Sequence, residues 1–168
     1  MNIKIKRITP EEAILVRSPV LRSGQPLESA YLENDYSFNT IHFGGFLQNK
    51  QIATVTIFPE NRNHNKNEWR LRGMAVLDKF QSKGIGEKLL KECFKFILSN
   101  NGQIIWCNAR IKAIEFYKKC GFSICSKKFD ILNIGSPFSL KSLLLKANPF
   151  FKSQISPSFT NFHITIAP

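Results

Sequence analysis

The chain has 168 residues, 43% of them apolar and 21% charged, the balance of one globular domain with its own core. No apolar run approaches the roughly 20 residues that span a bilayer. The opening MNIKIKRITPEEAI mixes charge and apolar residues too finely for a signal peptide, so the expected compartment is the cytoplasm. The formal charge of +12 favours acidic substrates or phosphate-rich cofactors, but no basic and aromatic recognition motif accompanies it, which argues against nucleic acid as the main partner.

In chain order, Thr9, Pro10 and Glu12 form a capping box with proline at the first helical position, so a helix starts there and Pro19 disturbs or ends it. The stretch from Arg22 to Asp35 reads as a loop with at most a short helix, an ordinary connector or a segment that lies over a site. NTIHFGGFLQNKQIATVTIFPE is two apolar strands around a tight turn at Gln48, Asn49 and Lys50, an antiparallel hairpin. After the polar NRNHNKN comes a third strand, EWRLRGMAVL, with Trp69, Leu71 and Gly73 expected on one face.

Beyond Gly86, the residues Leu89, Leu90, Cys93, Phe94, Ile97 and Leu98 fall at helical spacing, and Asn100, Asn101 and Gly102 end that helix. QIIWCNA is a buried strand. RIKAIEFYKKCG is a short helix with Ala113, Phe116, Tyr117 and Cys120 on one stripe, and FSICSKKF returns as a strand. The fold class is therefore mixed α+β or α/β, a central mixed sheet with helices on its faces. Cys93, Cys107, Cys120 and Cys125 show neither paired spacing nor a histidine at ligand spacing, so neither a disulfide nor a metal site is expected.

The glycines of FQSKGIGEKLL carry the chemistry. A P-loop would place Lys and Ser or Thr after Gly86, where Glu87 stands. A dinucleotide fingerprint would want a small residue at Leu89 and an acid roughly 20 residues on, where Trp106 and Cys107 stand. What survives is an anion nest of backbone N–H groups backed by a helix N-terminus, with Lys83 beside it. Something with phosphates belongs here.

Gln81, Gly84 and Gly86 in LRGMAVLDKFQSKGIGEKLL match Arg/Gln-x-x-Gly-x-Gly/Ala between a strand and a helix. About 25 residues on, NARIKAIEFYKKCGF keeps Ala113, Phe116, Tyr117, Gly121 and Phe122 of Asn-x-x-Ala-x-x-Phe-Tyr-x-x-x-Gly-Phe, with Arg110 in place of the usual Asn. In this order the two motifs resemble the GNAT superfamily of N-acetyltransferases, most strongly over residues 69–125. The resemblance implies a GNAT-like domain over 1–135 and a divergent C-terminal extension over 136–168, in which FHITI alternates like a strand.

It also implies acetyl-CoA as co-substrate and no metal. Met74, Ala75 and Val76 would face the pantetheine arm, and Gln81, Ser82, Lys83, Gly84, Ile85 and Gly86 the pyrophosphate, with Arg110 and Tyr117 beside the cofactor. Tyr117 would donate a hydrogen bond to the departing sulfur. Full proton transfer from a phenol near 10 to a thiol near 8.5 is uphill by roughly 2 kcal/mol. Glu68 and His42 are the candidates for the base. The acceptor would be a small-molecule or peptide amine, bordered by the loop from Arg22 to Asp35, with no membrane partner and a homodimer left open. A CoA-binding protein without robust catalysis and a basic nucleic-acid-binding module remain the alternatives.

Overall fold

The computed structural model describes residues 1–61 and 67–126, together with the backbone of 138–143. The end of the predicted FSICSKKF strand, the centre of the NRNHNKN loop and the FHITI segment lie outside the described residues. The element order is β1 (Lys4–Ile8), α1 (Pro10–Leu21), β2 (Ile41–Leu47), β3 (Lys50–Pro59), β4 (Glu68–Val76), α2 (Ile85–Ser99), β5 (Ile104–Ala109), α3 (Ile114–Lys119), β6 (Ser123–Ile124) and β7 (Phe138–Leu143). All seven strands join one sheet in the order β1-β2-β3-β4-β5-β7-β6. Pairing is antiparallel except between β4 and β5, which run parallel.

Two helices cover opposite faces, and the alternation of side chains along each strand decides which residue meets which helix. Phe43 on β2 and Trp69 on β4 set their rings edge-on against Phe96 of α2. The neighbouring His42 points the other way, toward Arg17 of α1. The core lies on the α2 side, where Leu89, Leu90, Cys93, Phe94 and Ile97 are all fully enclosed. Leu98, expected on that apolar stripe, is exposed instead.

Helix α1 begins as expected: Glu12 N–H donates to Thr9 Oγ1 at 3.2 Å, and Thr9 N–H donates to Glu12 Oε2 at 2.8 Å. It does not stop at Pro19 but runs to Leu21. Pro19 lacks the N–H that would bond Leu15, and both residues are exposed, so water can serve the Leu15 carbonyl. Strand β1 was missed, although its alternating IKIKRI carries the period of a strand. Strand β7 falls within residues 136–168 and inserts between β5 and β6.

Strand β4 departs from simple alternation. Its pairing with β3 slips between Thr54 and Thr56, opposite Gly73 and Met74. Such a bulge turns the following side chains to the other face. Gly73 therefore does not share a face with Trp69 and Leu71 as expected. A Cβ there would lie 2.5 Å from Arg17 Nε, on the α1 side, and the backbone φ of +60° suits glycine.

Candidate active site

Parallel pairing between β4 and β5 runs from Glu68 opposite Ile104 to Leu71 opposite Cys107, and no further. Beyond it, the β4 backbone from Arg72 to Val76 has no partner in β5. Unpaired strand backbone is a ready template for an extended ligand. After Val76 the chain makes a short 3-10 turn, Asp78–Phe80, then bends through Gln81, Ser82 and Lys83 into α2. Gln81 Nε2 fixes this bend by donating to Val76 O at 3.0 Å and to Asp78 Oδ1 at 2.8 Å. Lys83 Nζ donates to Lys79 O at 2.8 Å.

Ser82 and Gly84 both adopt positive φ, +58° and +74°. Gly84 is the N-cap residue of α2, and no side chain caps that helix. The first N–H groups of a helix have no carbonyl to serve within it, so here they remain as donors for something else. A Cβ on Gly84 would meet nothing within 4 Å. Open space in front of uncapped amides fits a phosphate group.

Gly86 is different. A Cβ there would lie 3.0 Å from Phe116 Cζ and 3.1 Å from Met74 Cε. The start of α2, the bulged part of β4 and α3 are thus in contact, and small size at Gly86 permits it. Tyr117 completes the cluster. Its hydroxyl lies 3.6 Å from Met74 Sδ, and its ring stacks edge-on between Phe116 and Phe122 at 5.1 Å from each. Burial holds its phenol well above the ordinary tyrosine range, and the neighbouring thiols of Cys107, Cys93 and Cys120 push the same way.

The structure brings Met74, Gly86 and Tyr117 together, with Ala75, Val76 and the Gln81–Ile85 turn alongside. It leaves Glu68 and His42 elsewhere. Glu68 is fully buried at the first position of β4, six residues or roughly 20 Å of strand from Met74. His42 is enclosed, with Nδ1 at 2.7 Å from Thr56 Oγ1 and Nε2 at 2.9 Å from Asp35 O. Both ring nitrogens are engaged, so neither is open to a substrate proton. Arg110 turns from the α2 cradle toward α1, where its Nη2 donates to Leu21 O at 3.3 Å.

His42 belongs to a polar network that the sequence reading missed. Arg17 Nη1 donates to Asp35 Oδ2 at 2.5 Å and to Ala30 O at 3.3 Å, while Nη2 donates to Thr56 Oγ1. Asp35 Oδ2 also accepts from Leu32 N at 2.8 Å. These bonds tie the loop after α1 to the sheet beneath the β4 bulge. Arg17, directly after the apolar run from Ala13 to Val16, is 1% exposed.

Burial lowers the affinity of the His42 imidazole for a proton, and the Arg17 charge adds to that, against the pull of the Asp35 carbonyl and carboxylate. The unfolded chain takes up this proton below about pH 6.5, where the folded one still refuses it. Stability should therefore fall as pH drops from 6.5 toward the depressed folded value. Denaturation midpoints between pH 7.5 and 5.5 test this: His42→Gln should lose less than the parent over that window, and equal losses would contradict it.

Comparison with known proteins bears on this geometry. Residues 39–124 match the sequence profile of the acetyltransferase (GNAT) domain. The uncharacterized N-acetyltransferase YitI of Bacillus subtilis strain 168 is 28% identical over 136 residues, which are 80% of this chain and 91% of the relative. The crystal structure of a GNAT-family acetyltransferase from Staphylococcus aureus Mu50 superposes with a TM-score of 0.68 at 18% identity, covering 85% of this chain and 99% of its own. PaiA N-acetyltransferase from Thermoplasma acidophilum, solved in complex with coenzyme A, gives 0.65 at 18% identity, with 85% and 99% covered. At such identities the solved structures speak for the fold.

Proposed function

Because this chain belongs to the acetyltransferase (GNAT) family and is thereby an acyl-CoA N-acyltransferase, we propose that it transfers an acetyl group from acetyl-CoA to a primary amine by direct attack. The observation that carries this reading is the meeting of Met74, Gly86 and Tyr117 where β4 leaves β5. The CoA complex of PaiA, on the same fold, supports the choice of cofactor.

Acetyl-CoA supplies an acetyl group on a thioester: the amine nitrogen bonds the acetyl carbon, the carbon–sulfur bond breaks and CoA leaves as a thiol. The chain's residues bind, orient and stabilise. The free edge of β4 from Arg72 to Val76 offers main-chain groups to an extended pantetheine arm. The amides from Ser82 to Gly86, at the α2 N-terminus, would hold the pyrophosphate. Tyr117 O–H would donate a hydrogen bond to the sulfur as negative charge develops there. Its raised pKa makes full proton release costlier than for an ordinary phenol, so donation dominates over acid catalysis. Holding both substrates in one geometry supplies much of the remaining acceleration.

Acetyl-CoA should raise the melting temperature, as any ligand of the native state does. Gly84→Val should abolish that rise while the melt stays cooperative, because a β-branched residue resists a φ of +74° and would fill the space before the amides. Normal acetyl-CoA binding by this variant would contradict the phosphate cradle.

A further inference from the structure

Strand alternation places a second set of side chains on the sheet face away from α2. Trp69 and Leu71 pack toward α2, so Arg70 and Arg72 point to the α1 side. On the partner strand Trp106 lies under Arg70, 4.8 Å from its guanidinium carbon to the ring centre. Two and four residues on stand Asn108 and Arg110, with Arg110 still in extended backbone. The C-terminal end of α1 meets the last of them, Arg110, through the Leu21 carbonyl.

Two guanidinium groups converge there. Arg22 Nη1 and Arg110 Nη2 both donate to the Leu21 carbonyl oxygen, at 3.2 and 3.3 Å, although the residues are far apart in sequence. Arg22 Nε adds a bond to Ser29 O at 3.3 Å, and Arg72 Nη1 reaches Glu33 O at 3.1 Å. Among the described residues, the arginine ion pairs are Arg17 with Asp35 and Arg70 with Glu60. Arg22, Arg72 and Arg110 thus hold only main-chain oxygens, at distances longer than the roughly 2.7–2.9 Å of a strong charged pair.

Burial, and next the charge of Arg70, pull the Arg72 pKa down, against the carboxylates of Asp35 and Glu33. Capping the α1 C-terminus accounts for Arg22, the cap residue itself. It does not account for Arg72, whose Nη1 reaches Glu33 O instead. Weak main-chain bonds that an incoming anion can exchange are what a recognition site offers before its ligand arrives.

Resting on the acetyltransfer reading, we propose that the acceptor is an anionic amine, carrying a carboxylate or phosphate group that Arg22, Arg72 and Arg110 grip. The fork of each guanidinium suits either oxyanion. The same cations disfavour an ammonium beside them and so favour the neutral amine, the form that attacks. This bears on the proton, since neither Glu68 nor His42 is placed to take it. A polycationic acceptor would be repelled.

The test uses the full chain, acetyl-CoA and thiol release with matched acceptors. β-Alanine is paired with β-alaninamide, and phosphoethanolamine with ethanolamine; spermidine is the cationic probe. The anionic member of at least one pair should exceed its neutral partner by about 10²-fold in kcat/KM, and which pair does so separates carboxylate from phosphate. Arg110→Gln and Arg72→Gln should collapse that preference, read as the ratio of kcat/KM between the members of each pair. Preference for spermidine, no turnover of any anionic probe, or a preference unaltered in both variants would overturn the proposal. A cap role alone would lower the melting temperature without touching the ratio, which also overturns it. Failure of acetyl-CoA to shift the melt of the parent chain would instead bring down the acetyltransfer reading, and this proposal with it.

Discussion

Tyr117→Phe is expected to lower turnover by about 10²–10³ while leaving acetyl-CoA affinity close to the parent value. The thioester sulfur is neutral in the bound substrate and gains charge only as the amine displaces it. A donor aimed at that atom therefore acts in the transition state more than in the ground state. Phenylalanine keeps the ring that packs between Phe116 and Phe122, so the fold and the cradle should hold. The lost hydroxyl has only sulfur partners within the chain, Met74 Sδ at 3.6 Å and the Cys107 thiol, so its removal strands no strong buried partner. Calorimetry gives the affinity, and thiol release at saturating substrates gives the turnover. A change in turnover within about threefold would remove Tyr117 from the chemistry. Equal losses in affinity and rate would make it a binding residue.

The second large effect concerns stability. Asp35→Ala leaves the Arg17 guanidinium enclosed without its counter-charge, and Arg17→Met leaves the Asp35 carboxylate so. Breaking a buried pair from one side costs about 3–5 kcal/mol. For a chain of this size that is a fall in melting temperature on the order of 10 °C. Both side chains are almost wholly enclosed, so water cannot take over the lost partner without opening the loop after α1. The double change Arg17→Met with Asp35→Leu should recover part of the loss, since it removes both charges at once. A fall within about 1 kcal/mol for Asp35→Ala would show that the network is worth no more than a surface pair. Because Asp35 also holds Leu32 N–H, the single variants should loosen the covering loop and raise KM for the acceptor before they affect acetyl-CoA.

Much of this could be read from local pattern. The capping box at Thr9, the hairpin turn at Asn49 and the helix behind Gly86 rest on residues within a few positions of each other, where spacing speaks directly. The cradle was legible for the same reason, since Gln81, Gly84 and Gly86 lie within one turn of chain. Tyr117 was found only through the resemblance to GNAT proteins, because its approach to Met74 depends on where β4 and β5 part.

What failed depended on contacts distant in sequence. The bulge in β4 shifts Gly73 to the opposite face, and a period-2 reading has no way to see one inserted residue. Glu68 came from the resemblance, as a carboxylate at the start of the third strand, and it lies buried six residues along β4 from Met74. His42 looked like a base by its titration range, but Arg17, Asp35 and Thr56, which enclose it, come from three other segments. Arg110 was assigned to the cofactor by position in a motif, yet its side chain reaches the end of α1.

Hydrogen exchange of the chain with and without acetyl-CoA tests the central claim most directly. Protection is expected in two separate segments at once, the amides of Ser82 to Gly86 and the unpaired β4 edge from Arg72 to Val76, with little change across β1 and β2 on the far edge of the sheet. Protection confined to other segments, or none at either of these two under saturating acetyl-CoA, would contradict it.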